Sequence, residues 1–205
     1  FFTDQIAVAV GDLDGDGYAD LVVGAPGQSA PEADEGNAFV YFGGIAGIRA
    51  TPSVTLDSPL GEAGGSFGYA VASSGDLTAD RFPDLLIGAP GPAAIWPELP
   101  ADAHEGEVSL YPGAAGGIAA RTGSVSGAAR DIMGTSVSSA GDLNGDGHAD
   151  LVVNAMGASP VGAFLGAVYI YHGPLVSVPW MPSAVLENPS FRWGLGFGGA
   201  VTTGM

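Results

Sequence analysis

The sequence predicts an all-β protein made of β-propeller blades, each of four antiparallel strands, and three observations carry that expectation. Gly fills 35 and Pro 15 of the 205 positions, and these residues sit badly inside helices and central strands, so long helices are excluded as the main architecture. Hydrophobic residues still make up 46%; they fall in short, scattered runs that are too rich for a disordered chain and sufficient for a sizeable core. An acidic motif then recurs three times, its leading residues Asp12, Asp76 and Asp142 standing 64 and 66 positions apart. That spacing suits one blade of four short strands and their turns.

Taken in chain order, the second and third units open on an aromatic or Met followed by Gly, Phe67-Gly68 and Met133-Gly134, nine residues before the leading Asp. An alternating run such as Tyr69 to Ser73 gives the first strand, and the acidic loop follows. The second strand is a compact apolar run such as Asp84-Leu85-Leu86-Ile87, stopped by Gly88-Ala89-Pro90. Third strands are expected at Ala38 to Phe42, Glu107 to Tyr111 and Ala167 to Tyr171, each closed by Gly or Pro. Weaker fourth strands are expected near Ser53 to Leu56, Gly123 to Ser126 and Ser183 to Leu186. The expected organisation is a single propeller region over 1–205, with approximate repeats 1–62, 63–128 and 129–192 and a further blade opening at 193–205, where Phe197-Gly198 repeats the opening pair. About three blades leave two apolar faces uncovered, so the remaining blades are expected from the rest of a longer chain or from another chain.

The charge balance narrows the function. Asp and Glu number 22 against 5 Arg and no Lys, a formal net charge of −17. Such a surface repels phosphate backbones and anionic headgroups, which argues against nucleic-acid partners and favours cations. No run approaches the roughly 18–20 apolar residues that span a bilayer, so no membrane insertion is expected. The chain has no Cys, which removes disulfides, thiolate metal sites and thiol nucleophiles together.

Within each acidic loop, oxygen-bearing side chains fall at relative positions 1, 3, 5 and 9, with a main-chain carbonyl available at 7. The first loop offers Asp12, Asp14, Asp16 and Asp20 with the Tyr18 carbonyl, and the third Asp142, Asn144, Asp146 and Asp150 with that of His148. A hard cation wanting 6 to 8 oxygens fits this donor set, Ca²⁺ better than Mg²⁺ because a pliable loop rarely makes an ideal octahedron. The second loop offers Asp76, Thr78, Asp80 and Asp84 with the Phe82 carbonyl, but Thr78 replaces a carboxylate and Arg81 brings a positive charge. Two calcium sites are therefore expected, with the second loop a weaker third, and affinity should fall from the first loop to the third to the second. The competing reading is of solvated acidic turns, since Asp and Gly are ordinary turn formers. A helix-loop-helix calcium hand is excluded: it needs a Glu at position 12, where Val23, Ile87 and Val153 stand, and it needs helical flanks.

Phe67-Gly68, the acidic loop and Gly88-Ala89-Pro90 together resemble the FG-GAP repeat of integrin α-subunit propellers, which is also found in bacterial integrin-like proteins and in a glycosylphosphatidylinositol-specific phospholipase. The resemblance covers nearly the whole chain. It implies a propeller with structural calcium in its hairpin loops on one face, an extracellular or cell-surface setting, and ligand contacts on the opposite face. The longest loop there would be Gly91 to Glu105, with Trp96, Asp102 and His104. The sequence departs from the family pattern at Phe2-Thr3-Asp4, at Asn154-Ala155-Met156 and in the second loop.

No catalytic set emerges. Gly64-Gly65-Ser66-Phe67-Gly68 matches a nucleophile elbow but precedes a propeller strand instead of joining strand to helix. No two of His104, His148 and His172 stand at zinc-ligand spacing. The expected function is a non-enzymatic, calcium-binding extracellular module for adhesion or protein recognition, with any export signal outside these residues. The alternatives are a lectin-like glycan-binding propeller and a non-catalytic propeller of a larger secreted hydrolase.

Overall fold

Short apolar runs broken by Gly, Pro and Asp cannot extend into helices, and they pair instead with their sequence neighbours. A computed structural model of the chain describes residues 7–29, 32–61, 63–91, 105–128, 131–158, 165–189 and 197, and none of these is helical. The first sheet joins β1 (Val8–Gly11), β2 (Asp20–Ala25), β3 (Asn37–Tyr41) and β4 (Val54–Asp57) in sequential order. The second joins β5 (Ala70–Ser73), β6 (Leu85–Ala89), β7 (Glu107–Tyr111) and β10 (Gly123–Ser126), with a small hairpin of β8 (Gly113–Ala114) and β9 (Gly117–Ile118) between its third and fourth strands. The third joins β11 (Met133–Ser139), β12 (Leu151–Ala155), β13 (Ala167–Tyr171) and β14 (Ala184–Glu187). All pairings within these sheets are antiparallel. The sheets are blades of a β-propeller, stacked face to face with the first strands β1, β5 and β11 in mutual succession.

The core lies between the blades, and β6 shows why. Its alternate side chains point to opposite faces. Leu85 and Ile87 join Leu13, Val22, Val40 and Phe67 against the first blade, whereas Leu86 joins Val108, Leu110, Leu151 and Val153 against the third. A strand buried on both faces reads as a continuous apolar run, which is how Leu85-Leu86-Ile87 appears in the sequence. At the first blade, Ala9 faces the second blade and is buried, whereas Val8 and Val10 on the other face are 55% and 63% exposed.

Main-chain contacts lock neighbouring blades together. The N–H groups of Phe67, Met133 and Phe197 donate to the carbonyls of Glu35, Glu105 and Leu165. Immediately after those carbonyls come Gly36, Gly106 and Gly166, where a Cβ would fall 2.2 to 2.4 Å from the Phe67, Met133 and Phe197 carbonyl oxygens. Likewise a Cβ on Gly24 or Gly88 would meet the carbonyl of Gly68 or Gly134 at 1.9 and 2.1 Å. The paired Phe-Gly and Gly-Ala-Pro signals are thus the two sides of one seam between blades. In the third blade Asn154 stands at this position, and its side chain turns back on its own sheet. Its Oδ1 accepts the Ser136 N–H at 2.7 Å and its Nδ2 donates to Thr135 Oγ1 at 2.6 Å, at the irregularity between Met133 and Val137.

Candidate metal centres

Each acidic loop joins the first and second strands of its blade, so a tight hairpin carries the carboxylates to one end of the sheet. The ninth residue anchors the loop in the same way three times. Asp20, Asp84 and Asp150 are buried. One oxygen of each accepts the N–H of the loop's second residue, Leu13, Leu77 or Leu143, at 2.7, 2.7 and 2.8 Å. The other oxygen accepts the N–H of Gly43, Gly113 or Gly173, just beyond the third strand, at 2.8, 3.2 and 3.0 Å. These glycines pack against the carbonyls of Ala19, Pro83 and Ala149, at 2.3 Å from where a Cβ would stand. They are part of the site, and the only signal for them in the sequence is a Gly one or two residues past each third strand.

The remaining acids differ between loops. In the first, one carboxylate oxygen from each of Asp12, Asp14 and Asp20 lies within 4.8 Å of the others. Asp12 Oδ2 accepts the Gly17 N–H at 3.0 Å, while its Oδ1 is buried without a partner. Asp14 and Asp16 accept the N–H groups of Asp16 and Tyr18. Burial pushes the Asp14 carboxyl above its ordinary range; the Asp16 N–H partly offsets this, and the charges of Asp20, Asp16 and Asp12 add to the rise. Mutual repulsion of this kind is relieved when a cation neutralises the group.

In the second loop, Asp76 accepts the N–H groups of Asp80 and Arg81 on its two oxygens, and Asp80 accepts that of Phe82. The Thr78 hydroxyl points at Asp84, 3.4 Å from Oδ1. Burial pushes the Asp84 carboxyl up to about 6, against the lowering effect of the Leu77, Gly113 and Thr78 N–H groups. In the third loop, Asp142 Oδ1 accepts from Gly145 and Asp146, and its Oδ2 from Gly147. Asn144 donates to Asp146 Oδ2 at 2.8 Å, and this bond, with the His148 N–H, holds the Asp146 carboxyl below its ordinary range. His172, which the sequence places only at a strand end, stands with Nδ1 3.2 Å from Asp150 Oδ2 without hydrogen-bond alignment. The structure therefore brings the predicted residues into three loops of one design, and among the described residues three or more carboxylates converge only in the first. Trp96, Asp102 and His104 of the long loop lie outside the described residues.

Comparison with known proteins gives a consistent picture. The FG-GAP repeat matches residues 6–41, 67–111 and 133–171. The chain is 30% identical over 183 residues to integrin alpha-5 of Xenopus laevis, covering 84% of this chain and 16% of that protein. It is 34% identical over 197 residues to integrin alpha-4 of Xenopus laevis, covering 90% of this chain and 16% of that protein. It is also 33% identical over 184 residues to human phosphatidylinositol-glycan-specific phospholipase D, covering 83% of this chain and 21% of that protein. The chain thus spans only about a sixth to a fifth of these relatives' length. With its repeats matched in place and each repeat folded as a propeller blade, the chain belongs to the FG-GAP repeat family, in an integrin-alpha-like form.

Proposed function

We infer that the chain is part of a calcium-stabilised β-propeller that serves adhesion or protein recognition at the cell surface or outside the cell, with no catalytic role of its own. The observation that carries the calcium reading is the convergence of Asp12, Asp14 and Asp20 in a loop where Asp12 Oδ1 is buried and unpartnered. Among the described residues neither the Arg121–Glu107 ion pair nor the His172–Asp150 contact reaches that cluster. The donors are all oxygen, as a hard cation prefers, and each oxygen of Asp20 accepts one N–H and keeps a second lone pair for it, whereas both oxygens of Asp84 already accept two bonds. Asp12, Asp14, Asp16 and Asp20 with the Tyr18 carbonyl would hold the first ion. Asp142, Asn144, Asp146 and Asp150 with the His148 carbonyl would hold a second. Asp76, Thr78, Asp80 and Asp84 with the Phe82 carbonyl form the weakest set. The remaining blades of the ring would come from the rest of a longer chain or from another chain.

The recognition reading is supported by the likeness to two integrin alpha chains. A second reading, a non-catalytic propeller attached to a secreted hydrolase, is favoured by the likeness to a phospholipase D. Affinity capture of cell-surface proteins and a glycan array, each run with calcium and with a chelator, separate the possibilities. Calcium-dependent capture of a protein supports the recognition reading; binding confined to glycans supports a lectin; silence in both arms overturns recognition by these blades and leaves the hydrolase reading.

A further inference from the structure

The acidic loops also form the floor on which the next blade stands. Leu13, second in the first loop, is fully buried, and its carbonyl accepts the Ala114 N–H at 3.2 Å, while the Asp14 carbonyl accepts the Gly116 N–H at 3.0 Å. Both donors belong to the β8–β9 hairpin of the second blade. Phe82, also of the second blade, lies over Gly15 so closely that a Cβ there would be 2.5 Å from Cε1 of the ring. The second loop repeats the contact with the third blade: Leu77 is fully buried and its carbonyl accepts the Leu175 N–H at 2.6 Å. In the third loop the matching leucine, Leu143, is 53% exposed.

The first loop therefore has two working faces on one stretch of backbone. Side chains of Asp12 and Asp14 turn toward the candidate metal centre, while the Leu13 side chain and the carbonyls of Leu13 and Asp14 turn toward the next blade. We propose that cation binding and blade docking are coupled through this shared backbone, so that an ion in the first loop strengthens the seam with the 113–118 hairpin and the hairpin with Phe82 tightens the ion's site. The proposal rests on the calcium reading of the first loop. Its physical basis is linkage: fixing a residue's backbone costs about 1–2 kcal/mol, and whichever contact forms first removes part of that cost for the other. The effect is reciprocal, and coupling between sites is commonly about fivefold or more in affinity.

Backbone-amide NMR on the full chain tests this during a calcium titration. Gly15 and Gly17 report the first loop, Gly145 and Gly147 the third, and hydrogen exchange at Ala114 and Gly116 reports the seam. Gly47, whose N–H closes an unrelated turn on Gly44, is the control. Calcium is expected to slow exchange at Ala114 and Gly116 about fivefold or more, with Gly47 unchanged. Phe82→Leu and Phe82→Ala should raise the calcium midpoint read at Gly17, by about fivefold in the alanine variant, and leave that at Gly145 where it was. A Gly17 signal that titrates while Ala114 and Gly116 exchange as before, or Phe82 variants with the wild-type midpoint, overturns the coupling and spares the calcium reading. No response at Gly15 and Gly17 overturns both.

Discussion

The first and second acidic loops follow the same backbone path and present different chemistry along it. Positions four and six of both loops have positive φ: Gly15 at 75° and Gly17 at 88°, Ala79 at 62° and Arg81 at 81°. Both are anchored by a buried ninth-position Asp that holds the second residue's N–H at the loop's start and another beyond the third strand, Asp84 taking the Thr78 N–H as well. Yet the first gathers three carboxylates and leaves one Asp12 oxygen buried without a partner, while the second ties Asp76 to its own backbone and aims Thr78 at Asp84. The shape of the loop is therefore set by the anchor and the seam, and the donors at positions one, three and five are free to vary upon it.

Removing the anchor should have the largest effect, and a somewhat larger one in the second loop, where Asp84 holds three N–H groups against two at Asp20. Asp20→Ala and Asp84→Ala each strand buried N–H groups, costing about 1–3 kcal/mol per group, and urea unfolding in the presence of a chelator should show a large loss in both, the greater at Asp84. A much smaller loss at one loop would mean that its shape depends on something other than the anchor. Restoring donors should come next: Thr78→Asp with Arg81→Gly gives the second loop the first loop's charge pattern. Calorimetry should then show calcium affinity rising on the order of tenfold, given how ligand charge tunes such sites. An unchanged affinity would show that the donor set is not what separates the two loops. Backbone relief should be smallest. Arg81→Gly alone is expected to gain about 1 kcal/mol and Gly17→Ala, where a Cβ meets nothing within 4 Å, to lose about as much. Thermal melts without metal would read both, and equal melting points across the set would deny that positive φ is a cost here.

Much of this architecture is legible in the sequence because strand and turn signals are local. The expected third strands at Glu107 to Tyr111 and Ala167 to Tyr171 and the fourth at Gly123 to Ser126 agree with β7, β13 and β10 residue for residue. The other third and fourth strands shift by one residue, as with β3 at Asn37–Tyr41 and β4 at Val54–Asp57, whereas β6 at Leu85–Ala89 runs on through Gly88 and Ala89, the residues expected to stop it, because both pair with β7. The β8–β9 hairpin is not legible, since Gly113-Ala114 and Gly117-Ile118 are too short to show a period and are held by the first blade's loop. The anchoring role of Asp20, Asp84 and Asp150 is hidden for a related reason. Spacing marks them as donors, but their partners Gly43, Gly113 and Gly173 lie 23 or 29 residues away. Asn154 reads in sequence only as a departure from Gly-Ala-Pro; its bonds to Thr135 and Ser136 depend on how the sheet folds around it.

Diffraction from calcium-soaked crystals, collected where calcium scatters anomalously, tests the central claim most directly. The expected result is a peak bounded by Asp12, Asp14 and Asp20, at least as strong as any in the third loop and stronger than any in the second. A map with no peak at that cluster, in crystals whose calcium content is established, would contradict it.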